Sequence, residues 1–167
     1  SVNFAVLVAK RHGIDILKEG SGNPGATNVK RLLGKGPGNL VFALDALKGA
    51  AGTYLPFLLA DALSPGSPRF EALVAGLAGT LLGHCFSCFL GFKGGKGVAS
   101  TIGGLLVLLP IPIVIGAALW AIAFYATRYV SVASLALGLS LPLSCWLLPK
   151  FTSLQFSDAE LIFAGAI

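Results

Sequence analysis

The chain has 167 residues, of which 55% are hydrophobic and 11% are charged, with a formal net charge of +5. A soluble domain carries about 25% charged residues, so this composition excludes an ordinary water-soluble domain. Several apolar stretches reach the roughly 20 residues that cross a bilayer, whereas the period-two alternation of a membrane barrel is absent. The predicted fold class is therefore all-α, a polytopic membrane helix bundle.

Charges, prolines and glycines divide the chain into helices and loops. The predicted helices are Ser1–Ala9, Gly38–Ala60, Glu71–Leu90, Val98–Leu109, Ile113–Thr127, Val132–Leu148 and Asp158–Ile167. The predicted loops between them include Lys10–Pro37, Asp61–Phe70 and Gly91–Gly97. Because both ends fall inside apolar runs, we interpret residues 1–167 as one integral-membrane domain, incomplete at both ends, with about seven transmembrane helices.

The segment around Pro110 and Pro112 decides the topology. Val98–Leu109 is shorter than a spanning helix, and the two prolines mark a break or a reversal. If this segment crosses, both glycine-rich loops and most Lys and Arg residues fall on one side, which the positive-inside rule assigns to the cytoplasm. The N-terminus is then outside and the C-terminus inside. If residues 98–127 cross only once, Arg128 moves outside and the helix count falls by one.

The first glycine-rich motif reads Gly-Ser-Gly-Asn-Pro-Gly-Ala-Thr-Asn over Gly20–Asn28 and holds no charged residue. Glycine lets backbone N–H groups turn toward an anion, and hydroxyl and amide groups donate to phosphate oxygens. Arg31 follows one helical turn later and brings a guanidinium suited to phosphate. The pattern predicts an anion site, against the alternative of an ordinary connector. Its predicted phosphate-binding residues are Ser21, Gly22, Asn23, Thr27 and Asn28.

The second motif, Phe92–Gly97, reads Phe-Lys-Gly-Gly-Lys-Gly. It predicts a second anion loop, in which Lys93, Gly94 and Gly95 bind phosphate and Lys96 is catalytic. The alternative is a pair of interfacial lysines that follow the positive-inside trend. A nucleotide-binding P-loop is excluded, because no Gly-Lys is followed by Ser or Thr at the required spacing.

Other polar residues lie within the apolar segments. Asp45 and Lys48 share one helix face at i, i+3 and are predicted to support the site, with a purely structural pair as the alternative. His84 is a candidate general base, or else a hydrogen-bonding residue that positions a ligand. Cys85 and Cys88 form a C-x-x-C without the second pair or histidine cluster of a zinc site. We therefore expect no metal, no cofactor and no catalytic triad.

Three motifs in chain order carry a family resemblance: Gly20–Asn28, Leu44–Gly49 and Gly83–Ala99. Together they resemble the bacterial acyl-phosphate-dependent glycerol-3-phosphate acyltransferases. The resemblance implies a multi-pass enzyme of the bacterial inner membrane, with its glycine-rich motifs facing the cytoplasm. Such an enzyme transfers a fatty acyl group from acyl phosphate to the sn-1 hydroxyl of glycerol 3-phosphate. The products are lysophosphatidic acid and phosphate, in the first step of phospholipid biosynthesis.

The resemblance also implies residue roles. It supports the phosphate-binding role of the first motif, gives Arg31 and Lys96 cationic roles and places Ser131 near the substrate. Two departures matter: Ser87 stands where the family usually has proline, which is expected to loosen the end of that helix. In addition, a C-terminal run of Arg-His-Arg-Glu-Asn type is missing before the chain stops at Ile167. Because that run is expected to contribute to the pocket, the chain as given is expected to fold yet to be inactive.

The implied chemistry fits the residues. An acyl phosphate is already activated, so no enzyme nucleophile is required, and the donor's own phosphate is the first candidate base, with His84 second. We expect Ser21, Asn28, Arg31 and Lys96 to converge on one cavity that binds acyl phosphate and glycerol 3-phosphate beside the lipid bilayer, with no nucleic acid partner. The alternative function is a membrane transporter for a small phosphorylated anion, although neither glycine motif is repeated as paired inverted halves would require.

Overall fold

The computed structural model describes residues 2–66 and 69–167, with Val130 described in its backbone only. All regular structure in these ranges is helical, which confirms the predicted all-α class for the described residues. The helices are α1 (Phe4–Arg11), α2 (Ala26–Leu33), α3 (Lys35–Leu63), α4 (Arg69–Cys85), α5 (Val98–Leu108), α6 (Pro110–Thr127), α7 (Val130–Phe151) and α8 (Asp158–Ala166). A single 3₁₀ turn, Cys88–Leu90, follows α4.

The largest departure from the predicted elements lies in the N-terminal polar segment. The predicted loop Lys10–Pro37 contains the whole of α2 and the first residues of α3. Helix α2 is short and amphipathic, and it lies between Gly25 and Gly34, both in non-helical conformations. Helices were predicted from apolar stretches of membrane-spanning length, so a short amphipathic helix was not predicted. Such a helix is stabilised by packing rather than by its length.

Several helix ends also differ from those predicted. Helix α4 ends at Cys85 rather than at Leu90, because the chain becomes extended at Ser87, where ψ is 116°. Helix α6 begins at Pro110 rather than at Ile113, since proline at the first helical position gives up no hydrogen bond. Within the predicted loop Asp61–Phe70, residues 67 and 68 lie outside the described residues, as does residue 1 of the predicted first helix.

The chain forms two compact units that divide after Leu108. In the first unit, a cluster of buried residues joins α1, the following loop, α2 and α3; its members are Ala5, Ala9, Ile16, Val29 and Val41. Asn3 caps α1 by accepting from the N–H of Val6 at 3.1 Å, and its Nδ2 donates to the carbonyl oxygen of Pro24 at 3.2 Å. One side chain thus ties α1 to the first glycine-rich motif.

The second unit holds α6, α7 and α8. Helices α6 and α7 pack closely where Gly116 faces Ser140, since a Cβ at Gly116 would come within 2.7 Å of the serine hydroxyl. Helix α8 begins with a capping box, in which the side chains of Ser157 and Glu160 each accept from the other's backbone N–H.

Among the described residues, three segments are long and apolar enough to cross a membrane: Arg69–Leu90, Pro110–Thr127 and Ser131–Phe151. Helix α3 has 29 residues but is not among them, and Asp45 and Lys48 lower the hydropathy of its middle. Large apolar side chains are exposed along the helices, as lipid contact requires; examples are Leu47, Leu59, Ile122, Leu135 and Leu139. The helical membrane class is thus supported, while the count of about seven crossings stays a prediction.

Candidate active site

A cavity of about 410 Å³ lies at the N-terminal end of α2, within the first unit. Both glycine-rich motifs reach it, and α3, α4 and the start of α5 complete its wall. Its lining residues are Ser21, Asn23, Gly25, Ala26, Thr27, Asn28, Arg31, Phe42, Asp45, His84, Lys96, Gly97, Val98 and Ala99. The structure therefore brings Ser21, Asn28, Arg31 and Lys96 to one cavity, as the sequence analysis expected.

Asn28 is almost fully buried and uses its amide group inside the protein. Its Nδ2 donates to the carbonyl oxygens of Ile16 at 3.3 Å and Glu19 at 3.0 Å, and its Oδ1 accepts from the N–H of Ser21 at 3.0 Å. A carboxamide has only two N–H donors, so none remains for a phosphate. Asn28 thus holds the loop in place, and its predicted contact with phosphate stays a prediction.

Several backbone N–H groups of the first motif also form hydrogen bonds within the loop itself. The N–H groups of Ser21, Gly22 and Gly25 all donate within the loop, and Gly22 does not line the cavity, so the phosphate-binding role of Gly22 stays a prediction. In the described part of the chain, the N–H groups of Ala26 and Thr27 at the start of α2 have no backbone partner. The anion-binding feature of this motif is thus a helix N-terminus with its partial positive charge.

Two cationic side chains line the same cavity as that helix N-terminus. Arg31 lies on α2 itself, and Lys96 enters from the second motif. Among the residues the structure describes, neither is paired with a carboxylate; the ion pairs found there are Lys18–Asp15, Lys48–Asp45 and a longer His84–Asp45 approach. Unpaired cations beside a helix N-terminus favour a bound anion.

The glycines of the second motif serve close packing. A Cβ added at Gly94 would overlap the carbonyl oxygen of His84, and one at Gly95 would overlap the imidazole of the same histidine. Gly94 also donates its N–H to the carbonyl oxygen of Cys85 at 2.9 Å. Neither glycine lines the cavity, and Lys93 lies outside it as well. This loop packs against the end of α4 and delivers Lys96, while the phosphate contacts predicted for Lys93, Gly94 and Gly95 stay a prediction.

A buried polar cluster forms the inner wall of the cavity. Asp45 is 2% exposed and His84 is 4% exposed. Lys48 donates from Nζ to Oδ1 of Asp45 at 2.8 Å and to Nδ1 of His84 at 3.0 Å. Ser100 donates from Oγ to the carbonyl oxygen of Asp45 at 3.1 Å. Three helices thus meet at this cluster, and the role of Asp45 and Lys48 in supporting the site stays a prediction.

Small residues make this meeting of helices possible. A Cβ at Gly49 of α3 would overlap the backbone of Ser100 on α5, and a Cβ at Gly103 of α5 would overlap the backbone of Ala46 on α3. Small residues let membrane helices approach until their backbones touch. The close crossing of α3 and α5 places Ser100 directly against Asp45.

Sequence reasoning missed two residues of the site. Ser100 shows no signal of its own, although the Ala99-x-x-x-Gly103 spacing is typical of a close helix contact. Asn3 stands immediately before an apolar run, which is the signature of an N-cap and was readable from the sequence. Ser131 lies near the start of α7 in the second unit and is described within that unit alone. Its predicted place near the substrate stays a prediction.

Comparison with known proteins places this geometry in a family. The family model described as glycerol-3-phosphate acyltransferase matches residues 1–167. A glycerol-3-phosphate acyltransferase of Desulfotalea psychrophila is 43% identical over 169 residues, covering 100% of this chain and 80% of the relative. That of Aquifex aeolicus is 43% identical over 140 residues, covering 84% of this chain and 70% of the relative.

Two solved structures share the fold. The glycerol 3-phosphate form of PlsY, an integral membrane glycerol 3-phosphate acyltransferase, matches with a TM-score of 0.72 at 36% identity, covering 97% of this chain and 75% of that one. The lysophosphatidic acid form matches with a TM-score of 0.71 at 35% identity, covering 99% and 78%. The resemblance carried by the sequence motifs is confirmed: this chain belongs to the glycerol-3-phosphate acyltransferase family of integral membrane enzymes.

Proposed function

We propose that this protein transfers a fatty acyl group from acyl phosphate to the sn-1 hydroxyl of glycerol 3-phosphate, giving lysophosphatidic acid and phosphate. The observation that carries the proposal is the cavity in which the N-terminus of α2, Arg31 and Lys96 meet without a carboxylate partner among the described residues. Its volume of about 410 Å³ falls in the range of roughly 300–1,000 Å³ that small-molecule sites occupy.

The charge of the cavity matches a reaction between two phosphorylated substrates. Both acyl phosphate and glycerol 3-phosphate bring an anionic group, and phosphate leaves as the reaction proceeds. The free N–H groups of Ala26 and Thr27 donate to one phosphate, while Arg31 offers a planar fork and Lys96 a mobile point charge. The hydroxyls of Ser21 and Thr27 and the amide of Asn23 add uncharged donors.

The chemical step needs no covalent enzyme intermediate. The sn-1 hydroxyl oxygen forms a bond to the acyl carbonyl carbon, the bond from that carbon to the phosphate oxygen breaks, and the hydroxyl proton passes to the departing phosphate. Negative charge grows on the carbonyl oxygen and on the leaving phosphate in the transition state. Lys96 and Arg31 stabilise that charge from fixed positions, so the protein contributes by orientation and by electrostatics.

The proposed setting is the bacterial inner membrane, with both glycine-rich motifs at its cytoplasmic face. Support comes from the Lys and Arg residues that flank the cavity, because positive charge is retained on the cytoplasmic side. The phosphorylated substrates then reach the cavity from the cytoplasm, and the acyl tail extends between helices into lipid. We keep Ser131 as a proposed substrate contact on the strength of the family resemblance.

The test is acyl transfer by the full-length protein purified in detergent or in nanodiscs. We expect lysophosphatidic acid and an equal amount of phosphate from palmitoyl phosphate and glycerol 3-phosphate, both measured by mass spectrometry and phosphate release. Glycerol is the matched control acceptor, because it keeps the hydroxyl and lacks the phosphate that the cations bind. Palmitoyl-coenzyme A is the control donor and is expected to yield no product.

Two results contradict the proposal. Equal rates with glycerol and with glycerol 3-phosphate would show that the cavity does not recognise the acceptor phosphate. Absence of acyl transfer, together with uptake of labelled glycerol 3-phosphate into proteoliposomes, would favour the transporter.

A further inference from the structure

Lys48, a partly buried side chain of α3, is surrounded by three acceptors. Its Nζ donates to Oδ1 of Asp45 at 2.8 Å, to the carbonyl oxygen of Val2 at 2.9 Å and to Nδ1 of His84 at 3.0 Å. An ammonium group carries three N–H donors and no lone pair. All three donors are therefore occupied, and the contact with His84 has only one polarity, with lysine as donor and imidazole as acceptor.

This polarity sets the tautomer of His84. If Nδ1 accepts from Lys48, it holds a lone pair, and the ring proton of the neutral imidazole lies on Nε2. The neighbouring groups agree: Ser100 donates its own proton to the carbonyl oxygen of Asp45, and Oδ1 of Asp45 lies 3.8 Å from Nδ1, too far for a hydrogen bond. A proton on Nδ1 would face the lysine N–H, and its nearest acceptor would be Oγ of Ser100 at 3.4 Å, a longer contact than the 3.0 Å bond from Lys48 that it would displace.

The opposite ring nitrogen, Nε2, belongs to a side chain that lines the cavity. Within the described residues, Nε2 of His84 has no hydrogen-bond partner, and it is not among the fully buried side-chain atoms that lack one. The ring lines the cavity and lies against Gly95, next to Lys96. An Nε2–H at this place is a hydrogen-bond donor on the same wall as the two cations.

We propose that Lys48 is a positioning residue, which fixes His84 as the Nε2–H tautomer so that the imidazole donates a hydrogen bond to an oxygen of the bound phosphate compound. Asp45 holds Lys48 in place for this purpose. His84 then acts as a donor and not as a general base, which leaves the proton of the acceptor hydroxyl to the departing phosphate. The ligand assignment rests on the proposed acyl transfer, whereas the tautomer stands on geometry alone.

Nitrogen NMR measures the tautomer directly. In full-length protein labelled with ¹⁵N-histidine, residues 1–167 contribute signals from His12 and His84, and His84→Gln identifies the His84 signal by removing it. We expect protonated Nε2 and unprotonated Nδ1 in the wild type, and a mixed or reversed population in Lys48→Met. Unchanged His12 signals verify that the Lys48 variant is folded. A wild-type ring protonated at Nδ1, or the same tautomer in both proteins, overturns the proposal.

Two amide variants of His84 distinguish a hydrogen-bond donor role of this residue from a general-base role. The amide nitrogen of glutamine reaches about as far as Nε2, whereas that of asparagine stops near Nδ1. If His84 donates from Nε2, His84→Gln keeps turnover within about tenfold of wild type, and His84→Asn loses at least about tenfold more. If His84 were a base, both variants would lose activity equally, and that outcome refutes the donor role.

A double-mutant cycle shows whether Lys48 acts through His84. Lys48→Met should lower kcat in the wild-type background and change it little in the His84→Gln background, because glutamine has no tautomer to fix. Lys48→Arg retains donors and should recover part of the loss. Lys18→Met, at an exposed ion pair, is the matched control. Losses that add in the double variant contradict positioning.

A wild type without acyl transfer but with protonated Nε2 would refute the proposed function and leave the tautomer standing.

Discussion

The two glycine-rich motifs look alike in sequence and do different work. In Gly20–Asn28 the glycines permit a tight loop whose amide groups bond to each other, and the loop ends in the exposed N-terminus of α2. In Phe92–Gly97 the glycines let the chain lie against the backbone of α4, and a single lysine, Lys96, reaches the cavity. Glycine beside a cation thus indicates that the backbone approaches something closely. The motif alone does not say whether that neighbour is a ligand or another helix.

The largest effect is expected from filling the packed glycine of the second motif. In Gly94→Ala the new Cβ would overlap the carbonyl oxygens of His84 and Cys85, which belong to rigid backbone. Overpacking typically costs about 1–3 kcal/mol and more where the neighbour cannot move. We expect a clearly lower thermal midpoint in detergent and a loss of activity.

Gly36→Ala is the matched control for this substitution, since its Cβ would meet no atom within 4 Å and its φ is not positive. It should leave the thermal midpoint unchanged. A stable and active Gly94→Ala protein would show that the loop is not pressed against α4.

The first motif is tested by changing Asn28 to its isosteric acid. Asn28→Asp keeps an oxygen for the N–H of Ser21 but removes both donors, and it sets a carboxylate against the carbonyl oxygens of Ile16 and Glu19. Each buried carbonyl left without a donor costs about 1–3 kcal/mol. We expect lower thermal stability and weaker binding of glycerol 3-phosphate.

Asn23→Asp gives the contrast, because Asn23 also lines the cavity and is not tied to the loop by a comparable side-chain network. It should weaken substrate binding through its added negative charge while the thermal midpoint stays near that of wild type. Equal stabilities of the two aspartate variants would argue against the loop-holding role of Asn28.

The next largest effect is expected from removing the two cationic side chains of the cavity. Arg31→Ala and Lys96→Ala each remove a charge-assisted contact worth about 1.5–3 kcal/mol, which slows turnover roughly tenfold to more than a hundredfold. Thermal unfolding should change little, since both side chains are exposed and without a carboxylate partner among the described residues. Rates are measured with palmitoyl phosphate and glycerol 3-phosphate.

Lys93→Ala belongs to the same motif and provides the control, because Lys93 lies outside the cavity lining. Its activity should stay within about twofold of wild type, the ordinary range for a surface substitution. If Lys93→Ala and Lys96→Ala lost equal activity, the motif would act through general positive charge and not through one placed lysine.

The sequence predicted what depends on composition and on local residue chemistry. The apolar runs indicated a membrane helix bundle, the prolines at 110 and 112 indicated the break between α5 and α6, and the polar motifs indicated the cavity. It did not predict which hydrogen-bonding groups are already occupied. Asn28 offers the same amide to a phosphate as to Ile16, and only the folded chain decides between them.

Long-range packing was likewise beyond the sequence. Ser100 reaches Asp45 because Gly49 and Gly103 let α3 and α5 touch. No single residue in the sequence predicts that contact. The end of α4 at Cys85 depends on the extended conformation of Ser87. That φ of −65° lies where proline is fixed, so serine occupies a backbone that suits the proline usual in the family.

The smallest effect is expected at the cysteines beside the second motif. Cys85 is half-buried and Cys88 is exposed, and both are free thiols. An acyl phosphate is activated without a thiol, so Cys85→Ala and Cys88→Ala, singly and together, should keep turnover within about twofold of wild type. Mass spectrometry of the protein after a single turnover should find no acylated cysteine. A trapped acyl-cysteine would replace direct transfer to the hydroxyl by a two-step mechanism with an enzyme nucleophile. The segment that precedes the second motif would then supply a reacting group beside Lys96, and the two glycine-rich regions would differ in catalysis and not only in packing.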